Sequence, residues 1–407
     1  MKKLLSATAF FSLLLLLVSC GKTDPEFKYY YYEPQDQEIV EKYLNLLNGD
    51  AVPEKYTVEF PQHLRSAGLF PRPVHNDKAV LGRVLFYDTK LSKDGKISCA
   101  SCHKQNIGFG DDAEVSKGVY DRSGDRNSLP LASVSNFSAY YGTDLNGSLA
   151  VPFFWDNRAN TIAEQAQGAM ENEKEMAMHM EEIAITVNNQ PYYAPLFKKA
   201  FGDARVDKGR VLEAISNFVN AMGSYRSPFD AAANQYSGLL GSTFGFSSSS
   251  IPTSYSAVEL SGLTSQQNQG YNLYRANCAS CHSPNMGRPM LLNANNGLDA
   301  ETTDRGVGKV TGNPKDNGTF KVPTLRNIAI TAPYMHDGRF KTLEEVIDHY
   351  STGIQDHPNL SSLLRKNGQP VRMNFSANDK AALIAFFHTL TDEQLLVDTR
   401  FSDPVKQ

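Results

Sequence analysis

The sequence predicts an all-α chain made of two related helical modules, with little β structure. Three observations carry this. The motif C-A-S-C-H occurs twice, at 99–103 and 278–282, and each copy follows a short apolar helix pattern, which reads as a weak internal repeat. Apolar residues recur at helical spacing over 161–167, 210–222, 342–350 and 377–390. No strand-like alternation of useful length appears.

The elements follow in order along the 407 residues, a length suited to two or three domains. Residues 1–20 read as a leader: Lys2 and Lys3, then an apolar run over 7–18 too short to span a bilayer. It ends in Leu17-Val18-Ser19-Cys20-Gly21, which resembles a bacterial lipobox, so Cys20 is the expected lipid attachment point and the periplasmic side of a membrane the expected location. Residues 21–52, opening with four tyrosines and two prolines over 21–37, read as a tether. The first module spans 53–225, with a turn at Asp94-Gly95 ahead of its motif. A Ser- and Gly-rich stretch within 226–262 reads as a linker or insertion. The second module, 263–407, opens with a shorter version of the same helix-then-motif plan.

Composition excludes some classes. Hydrophobic residues make up 41% and charged residues 21%, as in an ordinary globular protein. The net charge is −4 and no basic run exceeds two residues, so there is no nucleic-acid footprint. Loss of the leader removes two further positive charges, which favours a basic partner weakly.

The five cysteines are accounted for by one lipobox and two C-x-x-C pairs, leaving none for a disulfide. In C-x-x-C-H the two thiols bond the vinyl groups of haem c and the histidine becomes an axial ligand of its iron. A zinc site made of both pairs is the competing reading. It would leave His103 and His282 without a use and put thiolates in an oxidising compartment. The expected architecture is therefore two cytochrome c-like haem domains packed together, with Cys99, Cys102 and His103 holding one haem and Cys278, Cys281 and His282 the other.

The stretches LFYDTKLSKDGKISCASCH, RNSLP, FFWDNRA, EQAQGAMENEKEM, CASCH, FKVPTLRN and APYMHDGRFKTLEEV occur in that order. Together they resemble the bacterial dihaem cytochrome c peroxidase family, including its MauG-type branch, from about residue 81 to 390. The resemblance implies a peroxidatic first haem and an electron-transferring second haem. It implies that Glu175 is the carboxyl that moves a proton between the peroxide oxygens, that Gln165 is its neighbouring amide, and that Trp155 lies between the haems. It also implies a calcium ion held by Asn127, Thr331 and Pro333. Read without it, Glu175 is one of several solvated acids, Trp155 a core residue and Asn127 a turn cap.

Three positions depart from the family pattern. Many members carry a second histidine ligand in the loop after the first motif; here Val119 stands in its place, and His179 matches nothing in the family. The first haem is thus expected to have an open face even when oxidised and to need no reductive activation. Where many members place a methionine on the second haem, this chain has Tyr350, as the MauG-type branch does. A phenolate there would lower the potential. The alternative is a core tyrosine on the face of Leu343, Val346 and Ile347, with His349, Met335 or Met373 as ligand. Ala169 replaces the proline usual in EQAxGP.

The leading expectation is a peroxidase that takes hydrogen peroxide as substrate and electrons from a small periplasmic cytochrome c or cupredoxin. A MauG-type enzyme oxidising residues of a partner protein is the second reading, and a lipid-anchored dihaem electron carrier the third. Members of the family are often dimers, so a homodimer is expected.

Overall fold

The computed structural model describes residues 31–47, 52–134, 152–236 and 257–406. Cys20, the leader, Tyr29 and Tyr30 of the tyrosine run, and the Ser-rich stretch lie outside them. The described residues are mostly helical. Their strands are two antiparallel pairs of two residues each, Asn293–Ala294 with Phe320–Lys321 and Arg365–Lys366 with Gln369–Pro370. The all-α expectation holds.

Among the described residues two large hydrophobic cores stand apart from two small clusters, and the repeat is visible in how each large core is built. In the first, helix Asn76–Tyr87 crosses helix Lys208–Ala221; in the second, helix Ser265–Asn277 crosses Ala377–His388. Each crossing needs a glycine at its centre. A Cβ on Gly82 would lie 2.6 Å from the Ala214 carbonyl carbon, and one on Gly270 2.5 Å from that of Ala382. Backbones this close admit no side chain between them. Aromatic rings fill the flanks: Phe86 meets Phe218 at 5.3 Å, and Tyr271 meets Phe386 at 5.2 Å. The four expected helices are present at 162–171, 208–221, 343–348 and 377–388.

Three boundaries differ from the sequence reading. The expected tether contains helix Pro34–Tyr43, whose Val40 is fully buried in the first core with Tyr32, Leu44 and Leu46. The polar look of that stretch hid a single apolar stripe. The expected linker contributes to the second core at both ends, through Phe229 of helix Pro228–Gln235 and through Val258 and Leu260. Finally, the tail crosses back, burying Leu395 and Phe401 in the first core. Beyond it, Asn45 N donates to Pro404 O at 2.6 Å and Lys406 N to Tyr43 O at 3.0 Å, so the first described helix and the end of the chain are joined.

The modules meet through polar links. Arg126 pairs with Asp156 of its own module at 2.7 Å and grips both oxygens of Asp304 from the other at 2.7 and 2.9 Å. Arg326, held within its own module by a buried bidentate pair with Asp230, donates from Nη1 to Ser224 O at 2.8 Å, and Asp392 accepts from the backbone N–H groups of Tyr225 and Arg226. Among the described residues no helix is long and apolar enough to cross a membrane.

Candidate functional site

Cys99–Cys102 form one helical turn, opened by a reciprocal cap between Ser98 and Ser101. His103 ends it, its N–H bonded to Cys99 O at 2.9 Å. The His103 ring is fixed by Nδ1, which donates to Phe109 O at 3.0 Å. Since a carbonyl only accepts, Nδ1 carries the proton and Nε2 carries the lone pair that an iron needs. The second motif repeats the device with a different partner. His282 Nδ1 donates to Pro323 O, also at 3.0 Å. Burial lowers the proton affinity of both imidazoles, keeping them neutral.

A cavity of about 760 Å³ opens beside the first motif, within the range of cofactor sites. Cys99, Cys102, His103, Gln165, Glu175 and Trp155 all lie on its wall, so the structure gathers the residues expected at the first centre. Lys321 of the second module closes one side. Among the described residues no group of three or more His, Cys, Asp or Glu is placed to hold a metal ion.

Glu175 is not one of the solvated acids of its run. Burial pushes its carboxyl up to about 7, against a hydrogen bond from Asn172 and the charge of Arg158, which favour ionisation, while Asp125 adds to the rise. The donor to Glu175 is Asn172 Nδ2, at 2.7 Å from Oε1. Gln165 stands on the same wall, from helix Ile162–Glu171, but the orienting amide is Asn172. Sequence reasoning missed it, although an Asn three residues before the carboxyl at a helix end is a side chain suited to local backbone capture.

The 172–177 loop holds Glu175 tightly. Asn172 O accepts from Glu175 N at 2.9 Å and from Ala177 N at 3.0 Å, while Met176 O accepts from Lys93 N at 2.9 Å. Val119 is fully buried and its N–H donates to Glu175 O at 2.8 Å. Gly118, one residue earlier, runs against the same loop; a Cβ there would strike the carbonyls of Lys174 and Glu175 and lie 2.6 Å from Glu175 Cα. Arg122 Nη1 adds a bond to Glu173 O at 2.9 Å. The turn where many relatives carry a ligand is thus fastened to the carboxyl loop. His179 is exposed and caps helix Met180–Asn188; the segment joining it to Glu175 is a turn, so the two do not share a helix face.

Trp155 is bonded to one residue of each module. Its Nε1 donates to Asn127 O at 2.8 Å, and its carbonyl accepts from Lys321 N at 2.8 Å. Two residues after Lys321, Pro323 holds His282. Lys321 is itself buried, with Nζ donating to Pro152 O at 2.7 Å, and burial lowers its ammonium to about 7. Of the expected calcium residues, Asn127 spends Nδ2 on the carbonyls of Ala113 and Glu114, at 3.1 and 3.2 Å, so a cation would have to be met by Oδ1. Asn127 N bonds His336 O at 2.8 Å, within the stretch that also carries Pro333, and Thr331 is buried near Gly108.

At the second centre the helix carrying Leu343 and Ile347 ends at Asp348 and passes into a π-helical turn, His349–Gly353. Widening of the helix there turns Tyr350 away from the Leu343 and Ile347 face and packs it with Ile354, Leu360, Leu364 and Met373 instead. Its hydroxyl accepts from Asn296 Nδ2 at 3.4 Å. Burial, joined by the nearby Cys281 and Cys278, pushes its pKa up to about 12. Asn296 Nδ2 also reaches Met335 Sδ at 3.5 Å, while His349 Nε2 bonds Asn296 O at 3.1 Å.

Two helical cores that each present a Cys-x-x-Cys-His turn, with the histidine Nε2 freed by a backbone carbonyl, define a c-type dihaem protein, and a half-buried acid stands beside one of them. Comparison with known proteins makes this specific. The family model for di-haem cytochrome c peroxidase matches residues 76–237. Cytochrome c551 peroxidase of Nitrosomonas europaea is 32% identical over 326 residues, which cover 79% of this chain and 82% of the relative. Methylamine utilization protein MauG of Methylorubrum extorquens is 30% identical, over 79% of this chain and 80% of its own length. Among solved structures, a MauG-like protein associated with microbial copper homeostasis superposes with a TM-score of 0.67 at 28% identity, covering 86% of this chain and 99% of that one. The chain belongs to the di-haem cytochrome c peroxidase family. It is an oxidoreductase of that type, and the family carries two haem c groups. The residues fit both: each motif offers two thiols and one neutral imidazole nitrogen, and each imidazole is locked by its own carbonyl.

Proposed function

We propose that the chain reduces hydrogen peroxide to water at the first centre, with electrons entering through the second from a small periplasmic cytochrome c or cupredoxin. The balance is one peroxide, two protons and two electrons to two waters. Haem held by Cys99, Cys102 and His103 would supply the iron that receives peroxide and the electrons that break its O–O bond. Glu175 does the proton work: ionised, it accepts a proton from the entering peroxide; protonated, it delivers that proton to the departing oxygen. Its place on the cavity wall beside Cys99, Cys102 and His103, held by Asn172, carries the reading, and a carboxyl pushed up to about 7 is suited to both roles near neutral pH. Gln165 borders the same space and helps orient the peroxide. Trp155, bonded at both ends between the modules, is the bridge for charge from the second centre.

Val119 supports a first centre that is open in the resting protein. It has no ligand atom, and its turn is fastened to the Glu175 loop. Fully oxidised, haem-loaded protein is therefore expected to consume stoichiometric peroxide in rapid mixing without prior reduction, and Glu175→Gln to lose that reaction. A need for half-reduction would place the protein with the reductively activated members.

One observation favours a second reading, oxidation of residues on a partner protein: Tyr350 is turned toward Asn296 and the cysteines of the second motif rather than into the helical core. We take it as the sixth ligand of the second haem, which would stabilise the ferric state. The proposal extends to calcium near Asn127, Thr331 and Pro333, a homodimer, and periplasmic anchoring through lipid on Cys20. A donor assay with reduced cytochrome c separates the two enzymatic readings.

A further inference from the structure

We infer that Asn172, not Gln165, is the positioning residue of the Glu175 carboxyl, holding one oxygen so that the other serves the cavity. The inference rests on the peroxidase reading above and deepens it.

The geometry leaves the Asn172 amide no freedom. Its Oδ1 accepts from Lys174 N at 2.9 Å, an Asx turn that fixes which end of the amide is which. Nδ2 is then obliged to face Glu175, and it donates to Oε1 at 2.7 Å. Its carbonyl takes the N–H groups of both Glu175 and Ala177, at 2.9 and 3.0 Å. One side chain and its own peptide thus close the loop at four points around the carboxyl. Asn172 and Glu175 share the cavity wall with Cys99 and Cys102.

A donor fixed by a backbone bond cannot rotate away when the carboxyl changes protonation. With Oε1 engaged, a proton arriving on Glu175 goes to Oε2. That oxygen keeps one orientation through both half-steps, accepting and then releasing the same proton, with no net loss of atoms or charge at the residue. Without Asn172 the carboxyl would gain rotational freedom and lose the donor that favours its ionised form. The other groups acting on it are Arg158, whose charge favours ionisation, Asp125, which opposes it, and the thiol positions of Cys99 and Cys102, which become thioethers on haem attachment.

The test uses haem-loaded full-length protein with carbon-13-labelled glutamate, and follows the buried carboxyl by infrared difference spectroscopy as a function of pH. In Asn172→Ala the titration is expected to move to higher pH by about one unit, the effect of removing one hydrogen bond to a charged group. The acid limb of peroxide turnover should move with it, and turnover at pH 6 should fall roughly tenfold. Asn172→Asp keeps the acceptor for Lys174 N but replaces the donor by a like charge, and should move the titration further. It also serves if the alanine variant does not load haem. An unmoved carboxyl titration in a folded, haem-loaded variant overturns the inference. Full turnover by Glu175→Gln would instead overturn the peroxidase role of Glu175, whatever Asn172 does to its titration.

Discussion

Gly118→Ala should cripple peroxide turnover without touching a haem-binding residue. The added Cβ would lie 2.6 Å from Glu175 Cα and against the carbonyls of Lys174 and Glu175. Ordinary contact begins near 3.5 Å, so one of the two loops must retreat by about 1 Å. Nothing soft is available to yield, because the opposing atoms are backbone. Overpacking of this kind costs about 1–3 kcal/mol, and loss of the Val119 N to Glu175 O bond adds about 1 kcal/mol. The melting temperature should fall by roughly 5–10 °C. Since about 1 Å of misplacement at a reacting group costs on the order of 100-fold, turnover should drop by about that factor while the visible spectrum of the second centre stays unchanged. The assay is steady-state peroxide consumption beside thermal unfolding, on protein verified to carry both haems. Near-normal turnover together with an unshifted melting curve would show that the 118–122 turn does not hold the carboxyl loop, and the argument would fail.

Glu175→Gln should lose on the order of 100-fold to 10,000-fold in turnover, the range for a missing acid–base group. It should also change the pH dependence of stability. Burial pushes the folded carboxyl up to about 7 from the usual 4.5, so the folded state holds a proton that the unfolded chain releases. Wild-type stability is full below about pH 4.5 and is lost as pH rises to 7, by a few kcal/mol, and unfolding of Glu175→Gln should lack that slope. Ala177, at φ +52° in the carboxyl loop, holds a left-handed conformation that costs an alanine about 1 kcal/mol. Ala177→Gly should raise stability by up to that amount in chemical denaturation, and a lowered midpoint would contradict it. Tyr350→Phe should alter the spectrum and raise the potential of one centre only, with peroxide binding at the other intact; superimposable redox titrations would refute ligation by Tyr350.

Much of the chemistry could be read from the chain because it is written in short motifs. Two copies of C-A-S-C-H announced both centres, and the helices before them followed from apolar spacing. The helix at 34–43 escaped because one buried valine among charged residues leaves little periodic signal. The return of Leu395 and Phe401 to the first core depends on tertiary packing that no local pattern encodes. Asn172 escaped for another reason. Its role is fixed by a turn, and a turn residue in a run of acids looks like every other polar loop residue until the backbone bonds are known. Tyr350 was legible as a position, yet its surroundings were not, since a single helical register put it on the Leu343 face and the π turn moved it off.

The seam between the first described helix and the tail gives the molecule a handle. Lys406 bonds to Tyr43, one end of a ten-residue helix that begins where the chain emerges. The tail therefore meets the far end of that helix, about 15 Å from where the helix begins. A circular permutant that joins the tail to the helix start through a linker spanning that length, and opens the chain elsewhere, should keep both cores. With lipid on Cys20, the eleven residues to Tyr31 would reach at most about 40 Å, and an affinity tag on the tail would emerge about one helix length from Tyr31. Immobilised through the tail on an electrode, the protein would sit close to the orientation that the proposed anchor imposes, so its voltammetry would report electron entry from the direction met at the membrane.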